Sequence, residues 1–281
     1  MSDEDLVLAA AAEPRHRPWT EARDFAVGLR PIPLERWFEG GETFAEIAAR
    51  KGAVMRTAPE LAWRETDGSR KAQAEAAALV AAATGRSLGD GPPLLAAALA
   101  VSDDLCLMER REDGWTLTAA SLCAPTFFSA PEAVGLSLRG LHAPVPGFGA
   151  ELLKRVARIF DALAPDVVVE RRNWTLLNSG ELFLPDPAPV RARLPALAPD
   201  AAGEALHVRV ERQTLRQLPA TGGVLFTIRV WRWPLAALAR DPETLNAFAQ
   251  AWREAAPRFR DYKKLPLYDA LVARWLAAHG A

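Results

Sequence analysis

The stretch HVRVERQTLRQLPATGGVLFTIRVW, from His207 to Trp231, decides the fold. In its first half Val208 and Val210 fall on one side, and Arg209, Glu211 and Gln213 on the other. That period of two is the mark of a strand. In its second half Val224, Phe226, Ile228 and Val230 share one side, and Leu225, Thr227, Arg229 and Trp231 the other. Pro219-Ala220-Thr221-Gly222 joins the halves and is short enough for adjacent antiparallel strands. Glu211, Arg212, Arg209 and Arg229 crowd charge onto this pair. Two readings follow: a solvent face with cross-strand ion pairs, or a polar pocket.

Working outward, a second hairpin is expected upstream. Asp104 to Glu109 is apolar, Arg111-Glu112-Asp113-Gly114 carries the Asp-Gly turn signal, and Trp115 to Leu122 returns. A helix is predicted from Pro131 to His142, stopped by Ala143-Pro144-Val145-Pro146-Gly147. Gly149 to Leu163 has Leu152, Leu153, Val156, Ile159, Phe160 and Leu163 at helical spacing. Val167 to Leu177 begins as a strand, and Pro185 to Pro199 reads as a proline-rich surface excursion. Alanine-rich helices are predicted in 44–51, 68–84 and from Pro92-Pro93 to Ala100, and further helices in 242–252 and 268–278. Residues 1–27 read as a flexible N-terminal arm, and 28–281 as a single domain. Hairpins meeting in one sheet with helices on one side, and additional helices at both ends of the chain, make an α+β fold with an antiparallel sheet.

Composition narrows the function. The chain has 281 residues, a formal net charge of −1 and no basic tract, which points away from nucleic acid. Two cysteines, Cys106 and Cys123, are too few for a disulfide scaffold or an iron–sulfur cluster. With an acidic start (Met1 to Asp5) they lead to a cytoplasmic expectation. No apolar run reaches the roughly 18 residues of a membrane span. Nine tryptophans against two tyrosines fit core packing, or a pocket for a flat ligand. There is no Gly-rich phosphate loop, no HExxH and no paired-cysteine motif.

Of four histidines, His16 and His279 lie near the chain ends and His207 starts a strand. His142 closes a predicted helix and is fixed by the proline stop. A histidine there either caps the last turn as a cation or projects an imidazole into a cavity, as an axial ligand to iron requires. Cys123 is the rival ligand, or a buried core thiol. Arg171-Arg172-Asn173-Trp174 repeats the cationic theme on the preceding strand.

Taken in order, Leu141-His142-Ala143-Pro144-Val145-Pro146, Arg172-Asn173-Trp174, Glu211-Arg212-Gln213-Thr214-Leu215 with Leu218-Pro219, and Gly223 to Arg229 form one pattern. It resembles the haem-dependent oxidative N-demethylase α subunit, also described as a dimethylamine monooxygenase subunit. The likeness runs from Gly28-Leu29-Arg30-Pro31 and Trp37, past Asp104 to Met108, to Tyr262-Lys263. Val230-Trp231 stands where the family pattern has Thr-Tyr. The resemblance implies a haem-binding PAS-like domain flanked by additional helices, with haem b on iron ligated by His142. It implies oxidation of a dimethylamine-like secondary amine by O₂. Electrons would come from NADPH through partner subunits carrying FMN and a [2Fe–2S] cluster, with tetrahydrofolate taking the one-carbon product. Arg229, Glu211 and Arg212 are then the expected catalytic residues, and His142, Arg172, Trp174 and Thr214 the cofactor-binding ones. A haem gas or redox sensor without turnover, or a flavin- or metabolite-binding module without haem, is the competing expectation.

Overall fold

Alternating β-branched and polar residues give the two longest strands, and their register organises the rest of the molecule. In a computed structural model that describes residues 14, 16–20, 28–143 and 150–281, these are β6 (His207–Gln217) and β7 (Val224–Pro234), paired antiparallel from His207↔Pro234 to Gln217↔Val224. The upstream hairpin is β3 (Asp104–Arg111) and β4 (Gly114–Ser121), and β3 lies against the far edge of β7. β5 (Val168–Leu177) pairs with β6. Two three-residue strands close the edges, β1 (Arg30–Ile32) on β5 and β2 (Trp63–Glu65) on β4. Among the described residues the result is one seven-stranded antiparallel sheet, ordered β1-β5-β6-β7-β3-β4-β2. The chain is therefore α+β, as read from the sequence.

Two sets of helices cover the first face. α1 (Phe44–Thr57), α2 (Arg70–Thr84) and α3 (Pro93–Ala100) come from the N-terminal third. Thr43 opens α1 with a capping box to Glu46. Ala72, Ala76, Val80, Leu94 and Ala97 of α2 and α3 pack on Leu105, Leu107, Ala119 and Leu225. The small alanine side chains let helix and sheet approach closely. The other half of that face lies under C-terminal helices α6 (Pro242–Glu254), α7 (Pro257–Lys263) and α8 (Asp269–Ala278). There Trp174, Val208, Val210 and Trp233 meet Phe248, Trp252, Phe259, Val272 and Trp275. Residues 16–20, expected in the loose arm, dock into this layer: Trp19 is fully buried, edge-on to Trp174 and Phe248. Burying one indole outweighs the ordering of the few residues around it.

The second face carries α4 (Leu138–Leu141) and α5 (Ala150–Ala162). Phe160, Leu163 and Leu138 pack on Cys106, Met108, Leu215, Ile228 and Val230. Here the sequence reading needs correction. No single helix spans 131–142; Ala130–Ala133 and α4 are separate turns. Gly135 between them adopts φ +95°, which a helix excludes and glycine alone takes at little cost. The proline-rich excursion holds a short helix, Ala188–Arg193, and α7 was not anticipated. Pro144 and the residues to 149 lie outside the described residues.

Candidate functional site

His142 follows α4 directly. Ser137 caps that turn through Gly140 N–H, and Thr116 bridges to Ser137 from the edge of β4, which pins the turn to the sheet. The His142 imidazole Nδ1 lies 2.9 Å from Leu138 O. A carbonyl only accepts, so Nδ1 carries a proton. Burial pulls the His142 pKa below its ordinary value; the Leu138 bond opposes this and Arg171 adds to it. Capping and ligation are thus not alternatives: the bond to Leu138 O engages Nδ1, not Nε2.

The register brings three charged side chains to the same face. Arg171 stands opposite Gln213 and Ile228, and Asn173 opposite Glu211 and Val230. Opposed residues point the same way, so Arg171 and Glu211 are diagonal neighbours on one surface. Glu211 accepts from Gln213 Nε2 at 2.9 Å and from Thr126 Oγ1 at 3.4 Å. Both donors are neutral. The Arg171 Nε is buried without a hydrogen-bond partner among the described residues. Lys263, the last residue of α7, is half-buried over the Tyr262 and Phe259 rings. Lys264, with φ +56°, ends the helix there. Burial pulls the Lys263 ammonium down to about 8, with Glu211 opposing and Arg171 assisting. Tyr262 is pushed up by burial and by Glu211. Phe259 packs on Trp174 of the first face, so α7 straddles the β5 edge and delivers Lys263 to the second.

The expected site residues divide between the two faces. His142 and Glu211 lie on the second. Arg172, Arg212 and Arg229 stand opposite one another on β5, β6 and β7, one residue out of phase with Glu211, on the first face. There each arginine has a carboxylate. Arg212 binds Glu170 and Glu39 and donates to Trp37 O (2.8 Å) and Arg36 O (2.6 Å). Arg172 meets Glu170 at 2.7 Å. Arg229 pairs with Glu42, which Arg50 grips with two hydrogen bonds. Gly41 makes this possible: a Cβ there would stand 2.7 Å from the Trp231 ring that Arg229 covers. Thr214 lies between the Trp37 indole and Thr227. Trp174 is ringed by Trp19, Phe248 and Phe259. One pocket holding Glu211 together with Arg212 and Arg229 is therefore not what forms, because a strand's pleat alternates sides. Nor is the charge a solvent face, since Arg209, Arg212 and Arg229 are all buried.

The remaining candidates are accounted for. Burial pushes the Cys123 thiol up to about 11, Lys51 opposing, so it is a neutral thiol in the core. Lys51 is fully buried and donates to Ala98 O and Asp103 O; Asp104 accepts from the backbone N–H of Cys123 and Ala124. His16, expected in a loose arm, is buried with Nε2 at 2.8 Å from Glu39. His207 sits against Gly180. Arg171 and Lys263 were the residues without an assigned role in the sequence reading. Arg171 adjoins Arg172, and only the register tells which of the two shares a face with Glu211.

Residues 83–273 match the family described as haem-dependent oxidative N-demethylase, alpha subunit-like. That span holds β3 to β7, His142, Arg171, Glu211 and Lys263. The chain belongs to the haem-dependent oxidative N-demethylase alpha-subunit-like family.

Proposed function

We propose that this protein is the haem-carrying oxygenase subunit of an enzyme that removes an N-methyl group from a small secondary amine such as dimethylamine. The observation that carries this reading is the placing, on one sheet face, of His142, whose Nδ1 is held by Leu138 O, and a carboxylate, Glu211, that no described cation reaches at ion-pair distance. The residues suit haem. His142 offers Nε2 with its tautomer fixed by the bond from the other ring nitrogen. Apolar Val169, Leu215, Phe226, Ile228 and Val230 belong to the cluster beneath it. Arg171 leaves a buried donor unmet. The succession of hairpin, helical crossover and three-stranded meander, in the order β4-β3-β7-β6-β5, supports a PAS-like core within residues 28–281.

Bound haem supplies redox-active iron for oxidising the N-methyl carbon with O₂ and two electrons. The chain's residues do the rest. Glu211 holds the substrate's ammonium in place, and Gln213 keeps that carboxylate oriented. Ile228, Val230 and Phe226 exclude water from the reacting carbon. Overall, dimethylamine, O₂, NADPH and a proton give methylamine, formaldehyde, NADP⁺ and water. NADPH electrons would reach this subunit through partners carrying FMN and a [2Fe–2S] cluster, with tetrahydrofolate as acceptor of the one-carbon unit. Among the described residues no helix is long and apolar enough to cross a membrane. Two free, buried cysteines support a reducing compartment, the cytoplasm.

The test is a haemin titration followed by turnover with dimethylamine, NADPH and a matched reductase, reading formaldehyde. A sharp Soret band lost in His142→Ala, with amine-dependent formaldehyde from the wild type, is the expected result. No specific Soret band overturns the reading. A His142-dependent band without turnover of any small secondary amine makes the protein a haem sensor instead.

A further inference from the structure

We infer that Arg171 and Lys263 bind the carboxylate groups of the haem, so that the acid edge of the macrocycle is held between β5 and the end of α7. This rests on the haem reading above. On the sheet face that carries His142 the cations Arg171 and Lys263 lie near one carboxylate, Glu211, and among the described residues none of these three is in an ion pair. Removing charge from water without a partner is costly, so such groups persist where a ligand supplies the missing charge. Glu211 is diagonal to Arg171 on the sheet and still stays outside ion-pair distance of it, held by Gln213 and Thr126. The cations are therefore not satisfied from within.

Their placement fits an anion with two acidic arms. Arg171 projects from a strand interior and Lys263 from the C-terminal residue of a helix that straddles the β5 edge, so the two come from different elements. The carbonyl end of α7 also favours a cation at that point. Arg172, one residue along, is excluded from this task because it faces Glu170 on the opposite side. Arg209, on the correct side, is excluded because its guanidinium donates to the carbonyls of Ala124, Pro125, Glu181 and Leu182.

The experiment titrates the full chain with haemin and with haemin dimethyl ester, which has the same iron and ring but no carboxylates, and reads the Soret band. The set is wild type, Arg171→Met, Arg171→Lys, Lys263→Gln and the double variant, with circular dichroism to show that each is folded. Each neutralising variant is expected to weaken haemin about 10-fold, and the double variant about 100-fold. Arg171→Lys should recover most of the loss, and all variants should bind the ester alike. Equal weakening of haemin and ester would mean a packing role and overturn the inference. So would unchanged haemin affinity in Arg171→Met, Lys263→Gln and the double variant. Failure of the wild type to bind either compound would instead sink the haem reading on which the inference stands.

Discussion

The two faces of the sheet use the same residue types to opposite ends. On the first face Arg172, Arg212 and Arg229 stand in a row across three strands, and Glu170, Glu39 and Glu42 meet them. Each of these three guanidinium groups meets a carboxylate, and two backbone carbonyls add to the partners of Arg212. The row ties β5, β6 and β7 to the segment from Arg36 to Glu42. On the second face Arg171, Lys263 and Glu211 share a surface and stay apart. Matched buried charge fixes a structure; unmatched buried charge is held ready for something that arrives. The difference can be broken experimentally.

The largest effect should come from the first face. Arg212→Met removes the centre of the row and leaves buried Glu170 with only Arg172 and the half-exposed Arg30, and Oε2 without its partner. A loss of about 3–5 kcal/mol is expected, read as the shift in a urea unfolding midpoint. Arg212→Lys should not rescue it, because one ammonium cannot serve two carboxylates and two carbonyls in a planar fork. A loss below about 1 kcal/mol would show that the row is no lock.

On the second face stability and ligand affinity should separate. His142→Ala forfeits one side-chain cap, worth about 1 kcal/mol, while haemin affinity falls at least about 10-fold. Glu211→Gln should leave both the fold and the Soret band intact and lower kcat/KM for dimethylamine about 100-fold, or ~2.7 kcal/mol of transition-state binding. If Glu211→Gln instead unfolded the protein, its charge would be structural and the contrast between the faces would collapse.

How legible was this in the sequence? The hairpins were, because alternation and the Asp113-Gly114 turn are local signals. The insertion of β7 beside β3 was not, since nothing in either strand names its partner. The helix expected to end at His142 was drawn too long because Gly135 inside an apolar run hides a break. The site was half legible for one reason. A run such as Glu211-Arg212-Gln213-Thr214 reads as one motif, while the pleat sends alternate members to opposite faces. Assigning Arg171 rather than Arg172 requires the register Asn173↔Glu211, which arises from packing across the whole sheet. Lys263 lies 52 residues on in the chain from Glu211 and reaches it only because Lys264 ends α7 at the sheet edge.

The smallest effect is the most diagnostic, because it concerns charge alone. Lys263 titrates at about 8 in the folded protein, depressed by burial, beside Glu211, Arg171 and Tyr262. An unfolded lysine titrates near ~10.4. Between these values the unfolded chain binds more protons, so stability should rise as pH increases through that window. Screening at this half-buried position limits the gain to about 1 kcal/mol. Ligand binding should show the reverse sign. An anionic group beside Lys263 favours the ammonium, so association above pH 8 takes up a proton and weakens as pH rises. Lys263→Gln removes the group and should flatten both profiles, leaving haemin dimethyl ester affinity unchanged at every pH. Parallel slopes for haemin in wild type and Lys263→Gln would place the titrating charge elsewhere. The second face would then have only Arg171 and Glu211 with which to differ from the first.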